Sequence, residues 1–447
     1  MAGELAERLL ERELERFQRE HPRSAQLAER AHSSLLAGVP MHWMVRWPGG
    51  FPLFASEASG AHFRDVDGVE YVDFCLGDTG AMTGHSPEPV ARAVAEQAAR
   101  GITLMLPSED ALRVGEELSR RFGLPRWQFA LTATDANRFA IRLARLVTGR
   151  PKVLVFNWCY HGTVDETFAT LQDGRVVERH GNLGPPVPLD ETTRVVEWND
   201  VDALERELAH GDVACVLTEP VLTNVGIVHP EPGFHEALRE LTQRAQTLLI
   251  VDETHTFCAG PGGYTQKHGL EPDLLTVGKA IGSGIPAAAY GFSAEVAERV
   301  GAAIGRDESD IGGVGGTLAG NVLSLAAMRA TLEHVLTDDA FAHMIELGER
   351  FEQGVQAAID DASLSWHVTR LGARVEYLFR AERPVNGSEA AAGSDHLLDR
   401  LIHLYALNRG LLLTPFHNMA LMSPATSEAD VDLHTTVFGE AVRELAA

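Results

Sequence analysis

The sequence predicts an α/β protein with a mostly parallel central sheet flanked by helices, accompanied by a smaller α+β domain. Three observations predict it. Between about residues 110 and 290, amphipathic helical stretches alternate with short apolar runs, the pattern of strand–helix–strand units. The polar residues that stand out lie where those runs end, which is where open parallel sheets collect ligands. Beyond Gly320 two helical stripes follow one another, Leu325, Met328, Leu332 and Val335, then Leu347, Phe351 and Val355, leading into the smaller domain. A chain of 447 residues is too long for one small core. The expected divisions are 1–75, an N-terminal helix and hairpin joining the small domain; 76–325, the large α/β domain; and 326–447, the small α+β domain.

Residues 1–36 alternate charge with leucine and alanine at helical spacing, as in LAERLLERELERF. The loop AGVPMHWMVRWPGGFPLF follows and carries one arginine, Arg46. GAHFRDVDGVEYVDF alternates around Asp67-Gly68 and reads as a tight hairpin. The glycine-rich bend CLGDTGAMTGHSPEPV holds Asp78, where a carboxylate beside Thr-Gly is good turn chemistry, and leads into a helix over 89–101. A helix over Ala111–Phe122 precedes LTATDANRFAIRLAR. Strands are expected at 153–156, 194–198, 213–220 and 248–253, with helices at 201–209 and 233–245. ERPVNGSEAAAGSD, 382–395, is small and polar and reads as a mobile loop.

The formal charge of −25 leaves no basic patch able to hold nucleic acid or an anionic membrane. Cys75, Cys159, Cys215 and Cys258 are scattered without a close pair and read as reduced core residues. No apolar run nears the roughly 18 residues that suggest a membrane span, and the first residues are rich in Glu and Arg. The expectation is a soluble, cytoplasmic protein with no metal site.

The chain is organised around 248–286, where an apolar, β-branched run ends in Asp252 and Glu253. Lys279 follows, preceded by LLTV and followed by Gly282, Ser283 and Gly284. The only other lysines are Lys152, which opens a strand, and Lys267, in a polar loop, so Lys279 alone has apolar surroundings. A desolvated lysine can lose its proton, whereas arginine stays charged. A strand-end acid with such a lysine suits pyridoxal phosphate chemistry: the amine forms a Schiff base and the carboxylate keeps the pyridine nitrogen protonated. A lysine that snorkels at a sheet edge is the alternative.

The turn Thr132, Ala133, Thr134 runs into a strong helix with Asp135 in its first turn. Helix-start N–H groups and threonine hydroxyls there suit a phosphate, and they equally make an ordinary N-cap. GGVGGTLAGN, 312–321, is a second such start, with Gly316 and Thr317 ahead of another helix. Tyr160, His161 and Gly162 follow the strand at 153–156, where an aromatic face covers a flat heterocycle or forms a rim.

Together these stretches resemble the class III pyridoxal phosphate aminotransferases, and within them the glutamate-1-semialdehyde aminomutase branch, from Ala37 to the end. GLEPDLLTVGKAIGSGIPAAAYG is similar to the family's lysine segment, LLIVDE to the strand bearing the pyridinium partner, and FNWCYHG to the stacking segment. That implies Lys279 and Asp252 as catalytic residues, with Tyr160 and His161 on the cofactor. EPVLTNVG resembles the stretch near the phenolic oxygen and implicates Asn224 and, in support, Glu219. GGTLAGN is similar to the segment that reaches the phosphate from the neighbouring subunit, so Thr317 implies a homodimer with shared sites. ATDANRFAIRLAR sits at the family's Ser-Gly-Ser/Thr-Glu-Ala turn, with Ala133 for its glycine and Asp135 for its glutamate. Thr254, followed by His255, stands where a valine packs against the ring.

Asp78 falls where the aminomutases place an aromatic residue, Asn418 of PFHNMALMS where they carry an acid, and Arg46 in the loop of their substrate arginine. Arg46, Asp78, His255 and Asn418 are therefore the candidate substrate-binding residues. The resemblance implies fold type I, pyridoxal 5'-phosphate as cofactor, and a small-molecule amino donor and carbonyl acceptor as partners. Because the departures gather in the substrate pocket, the expected activity is ping-pong transamination between an amino acid or amine and a keto acid or aldehyde. An intramolecular aminomutase or a racemase is the alternative.

Overall fold

The computed structural model describes residues 2–182, 188–304 and 311–446. Contacts divide the chain into two units, Glu88–Asp338 with Pro384–Ala392, and Met1–Pro87 with Asp339–Arg383 and Gly393–Ala447.

The first unit holds a seven-stranded sheet of β1 (Arg126–Ala130), β2 (Lys152–Phe156), β3 (Thr193–Val196), β4 (Val213–Thr218), β5 (Leu248–Asp252), β6 (Leu274–Val277) and β7 (Ala288–Phe292). Their spatial order is β1-β7-β6-β5-β4-β2-β3. Strands β3, β2, β4, β5 and β6 are mutually parallel. β7 is antiparallel to both β6 and β1, so β1 runs with the parallel set.

Helices cover both faces, which is why the central strands read as unbroken apolar runs. Val153, Val155, Leu248 and Ile250 pack with Ala140, Ile141 and Ala144 of the helix Ala133–Thr148. The alternate residues Leu154, Phe156, Leu249 and Val251 pack with Leu204, Leu208, Phe234 and Leu238 of the helices Val201–Leu208 and Phe234–Arg244. Successive side chains thus enter opposite cores, as the period of a strand requires.

The second unit contains the expected hairpin, His62–Asp65 paired antiparallel with Glu70–Asp73, and Gly68 takes φ +89° in its turn. It also contains the three-stranded antiparallel sheet His367–Leu371, Arg374–Leu378 and Met419–Leu421, with the helices His396–Leu407 and Glu428–Ala446.

Several expectations need correction. The helical stretch 1–36 is two helices, Ala2–Glu20 and Pro22–Ala31, because Pro22 lacks the N–H to continue the first and suits the first turn of the second. The divisions expected at 75/76 and 325/326 fall instead at 87/88 and 338/339. The helix Val322–His334 packs on Glu88–Ala98 and Glu109–Phe122, which keeps it with the sheet. The segment 382–395 is not a loop throughout. It forms a helix, Gly387–Ala391, capped by the Asn386 side chain, and Ser388 Oγ donates to Glu197 Oε1 at 2.6 Å. Lys267 lies in a short helix, Gly263–His268. Among the described residues no helix is long and apolar enough to cross a membrane, and all four cysteines are buried as thiols.

Candidate active site

The residues singled out in the large unit come from the C-terminal ends of strands that share one direction, β6, β5, β4 and β2 side by side and β1 beyond the antiparallel β7. Thr132–Thr134 follow β1, Tyr160 and His161 follow β2, Glu219 and Asn224 follow β4, Asp252 ends β5 and Lys279 follows β6. β5 and β6 are adjacent, with Asp252 opposite Thr276, so the acid and the lysine emerge side by side at one edge.

Asp252 is buried and fully engaged. Its Oδ2 accepts from Asn137 Nδ2 (2.8 Å) and lies 2.9 Å from His161 Nδ1, and its Oδ1 accepts the Thr254 N–H (3.1 Å). Burial penalises charge on either partner of the Asp252–His161 pair. Their mutual attraction prevails, holding the Asp252 carboxyl down at about 2. For His161, Cys159 and Asp252 together overcome burial and push the imidazole up to about 10. The other ring nitrogen, His161 Nε2, is buried with no hydrogen-bond partner among the described residues.

Asn137 was not foreseen in the sequence. It is fully buried, donates also to the His161 carbonyl (3.1 Å) and accepts from Thr276 Oγ1 (2.6 Å). Its signal was there: an amide on the buried stripe Ala136, Ala140, Ile141, Ala144, where every neighbour is apolar.

Lys279 begins a short helical turn, Lys279–Gly282, with φ +50°, and its Nζ lies 2.9 Å from His255 Nε2. The preceding Gly278 packs on the helix start: a Cβ there would stand 3.1 Å from the Ala133 nitrogen and Cβ. The lysine segment and the turn 132–134 are therefore in contact. In that turn the N-cap reading is realised by the side chain, since Thr132 Oγ1 accepts the Asp135 N–H (3.2 Å) and donates to Asp135 Oδ2 (2.9 Å). Thr134 Oγ1 accepts the Thr163 N–H (3.0 Å).

Gly162, at φ +76°, passes so close to Thr134 that an added Cβ would strike its hydroxyl. Gly162→Ala is expected to cost about 1–3 kcal/mol from the left-handed backbone and the collision. A lowered Tm and weaker binding of pyridoxamine phosphate in calorimetry would show it; unchanged values of both would show that the turn yields freely.

Glu219 is buried, with Thr223 donating to it through Oγ1 and through N–H (3.3 Å). Burial, reinforced by the Asp252 charge and opposed by His161 and Thr223, pushes its carboxyl up to about 7. Asn224 Nδ2 donates to the Trp158 carbonyl (2.8 Å), and the Tyr160 ring meets Phe168 edge-on, centroids 6.2 Å apart. Thr254 is buried and Thr317 is exposed in the turn before the helix Val322–His334.

Of the four candidate substrate contacts, only His255 lies in the same unit as Lys279. Arg46 is exposed at the end of the turn His42–Arg46. Asp78 takes φ +51°, and its N–H donates to the Cys75 carbonyl (2.9 Å). Asn418 is buried with both ends of its amide engaged, Oδ1 3.2 Å from His403 Nε2 and Nδ2 donating to Asp399 Oδ1 (3.0 Å). Burial pushes the Asp399 carboxyl up to about 6.

The large-unit residues fit pyridoxal phosphate. They offer an ionised carboxylate at a central strand end, a lysine at the next, a buried imidazole nitrogen without a partner among the described residues, and a helix N-terminus against the lysine segment.

Comparison with known proteins places this site in a family. The chain is 36% identical over 422 residues to a glutamate-1-semialdehyde 2,1-aminomutase from Sorangium cellulosum, covering 92% of this chain and 94% of that one. A crystal structure of a glutamate-1-semialdehyde aminomutase from Pseudomonas aeruginosa superposes with a TM-score of 0.97 at 54% identity, over 99% of this chain and 98% of that one. A lysine-to-alanine variant of the Pseudomonas protein has been solved in complex with PMP. A β-phenylalanine aminotransferase from Variovorax paradoxus superposes at 0.86 with 27% identity, over 97% of both chains. Residues 44–441 match the class-III aminotransferases, and the chain belongs to that pyridoxal-phosphate-dependent family.

Proposed function

We propose that this enzyme moves an amino group between carbons of one small amino-carbonyl substrate, as an aminomutase. The observation that carries the reading is full-length likeness, at 54% identity, to a protein described as a glutamate-1-semialdehyde aminomutase. Two-substrate transamination, favoured by the sequence alone, becomes the second reading. It keeps support from the likeness, at 27% identity, to the β-phenylalanine aminotransferase.

Bound at this site, pyridoxal phosphate supplies an aldehyde that takes up the amine and a ring that draws electrons from the substrate carbon. Lys279 holds the cofactor and, when displaced, takes a proton from the nitrogen-bearing carbon and returns it to a neighbouring position. Asp252, steadied by His161, Asn137 and the Thr254 N–H, keeps a proton on the ring nitrogen. Tyr160, Asn224 and Glu219 would hold the ring, and the start of the helix Ala133–Thr148 would take the phosphate. Arg46 is the candidate for pairing a substrate carboxylate in a fork, and Asp78 and Asn418 remain candidates for other substrate contacts. We infer a cytoplasmic homodimer in which Thr317 serves the neighbouring site; its exposure, and that of Leu318 at 51%, support this.

The test is to supply glutamate-1-semialdehyde with no separate acceptor. Turnover continuing far beyond one equivalent per site supports the aminomutase. A stop after one half-reaction, with the cofactor left in its amine form, would establish transamination instead.

A further inference from the structure

We propose that His255 is the positioning residue for Lys279: it holds the amine by a hydrogen bond and accepts its proton as the lysine attacks the cofactor aldehyde. The inference rests on Lys279 being the lysine that carries the cofactor.

The contact is 2.9 Å between Lys279 Nζ and His255 Nε2. A lysine ammonium has only donors, so Nε2 is the acceptor and the imidazole carries its proton on Nδ1. Both ends of the pair are mounted on fixed backbone. On the histidine side, the Thr254 N–H is bound to Asp252 Oδ1, and the Phe257 N–H donates to the Glu253 carbonyl (2.9 Å). The buried Glu253 carboxyl accepts from Thr256 Oγ1 and from the N–H groups of Tyr264 and Thr265. Thr256, Phe257, Cys258 and Ala259, which follow His255, are all buried. On the lysine side, Gly278 is pressed against Ala133, and Ser283 Oγ is 2.8 Å from Thr331 Oγ1.

A lysine side chain left to itself samples many rotamers, and that freedom must be lost before its amine can attack. A rigid imidazole at hydrogen-bond distance removes much of that search beforehand. The same nitrogen closes the proton balance. The ammonium has no lone pair, so one N–H proton passes first to His255 Nε2 and frees the amine to bond to the aldehyde carbon. The aldehyde oxygen then leaves as water with that proton and a second one from the nitrogen, and the C=N bond that remains keeps the third proton on its nitrogen.

Full-length protein stripped of cofactor and mixed with pyridoxal phosphate in a stopped-flow instrument reports the capture step by the visible absorbance of the lysine-bound form. Pyridoxamine phosphate, which lysine cannot capture, reports the rest of the site. His255→Ala is expected to slow capture about 10²-fold, with pyridoxamine phosphate affinity within about two-fold of wild type, and added imidazole restores part of the rate. Capture by His255→Ala at the wild-type rate would overturn the proposal. If alanine also weakens pyridoxamine phosphate, His255→Gln decides, since glutamine can accept a hydrogen bond but cannot take up the proton. A deficit of about ten-fold or more there supports the proton-accepting role, and a wild-type rate removes it. Lys279→Ala run in parallel guards the premise: a visible band in that variant would remove the assignment of Lys279 itself.

Discussion

Lys279→Ala protein is expected to lose roughly 10³-fold or more in turnover, together with the visible absorbance of the lysine-bound cofactor, while remaining folded. No other lysine can stand in. Lys152 begins β2, at the end of the sheet opposite the site, where its Nζ donates to the Asp190 carbonyl at 2.8 Å. Lys267 lies in the helix Gly263–His268. Arginine, which supplies nearly all other positive charge in the chain, neither gives up its proton nor forms an imine under these conditions. The cost to folding is small because Lys279 is only partly buried, and alanine would inherit the same φ of +50°. A Tm close to wild type with abolished activity is the expected pair of results. Wild-type turnover with a persistent visible band would end the assignment.

The parts of the fold legible in the sequence are those whose pattern is local. Val213–Thr218 and Leu248–Asp252 are continuous apolar runs because helices cover both faces, and each reads as a buried strand without knowledge of its neighbours. β7 was not legible: Ala288, Ala289 and Gly291 are weak strand formers, and the strand exists because β6 and β1 flank it. The helix Gly387–Ala391 was missed for a similar reason, being five residues long and tied down by Glu197 and Asn157 from distant sequence.

The same rule governs the site. Asp252 and Lys279 announce themselves because each follows its own apolar run. His161 could be placed beside Tyr160, but its pairing with Asp252 spans 91 positions and only folding brings it about. Asn137 looked like one polar residue in a helix until its amide was seen to bridge Asp252, Thr276 and the His161 carbonyl.

Removing the Asp252 charge is the other large effect expected, and it acts on rate and stability together. Asp252→Asn is expected to lower kcat roughly 10²–10³-fold, because a neutral amide no longer holds the proton on the ring nitrogen. It also strips the buried His161 of its counter-charge, a loss of about 3–5 kcal/mol where the ring stays protonated and less where it can neutralise.

The pH course follows from both shifts. Asp252, held at about 2 against an unfolded value near 3.9, contributes stability that is present above about pH 4 and lost as the pH falls through about 2. His161, raised to about 10 against about 6.5 unfolded, contributes fully below about 6.5 and loses its share as the pH rises through about 10. The pair is therefore worth most between about pH 4 and 6.5. The stability gap between wild type and Asp252→Asn, measured by denaturant unfolding, should be widest there and narrow toward pH 10. A gap that stays flat from about pH 5 to 10 would remove the ion pair from the account. His161→Gln separates the two roles: it gives up the ion pair, but the Asp252 carboxylate keeps the Asn137 and Thr254 donors. Its stability should fall with a much smaller loss of kcat than Asp252→Asn shows.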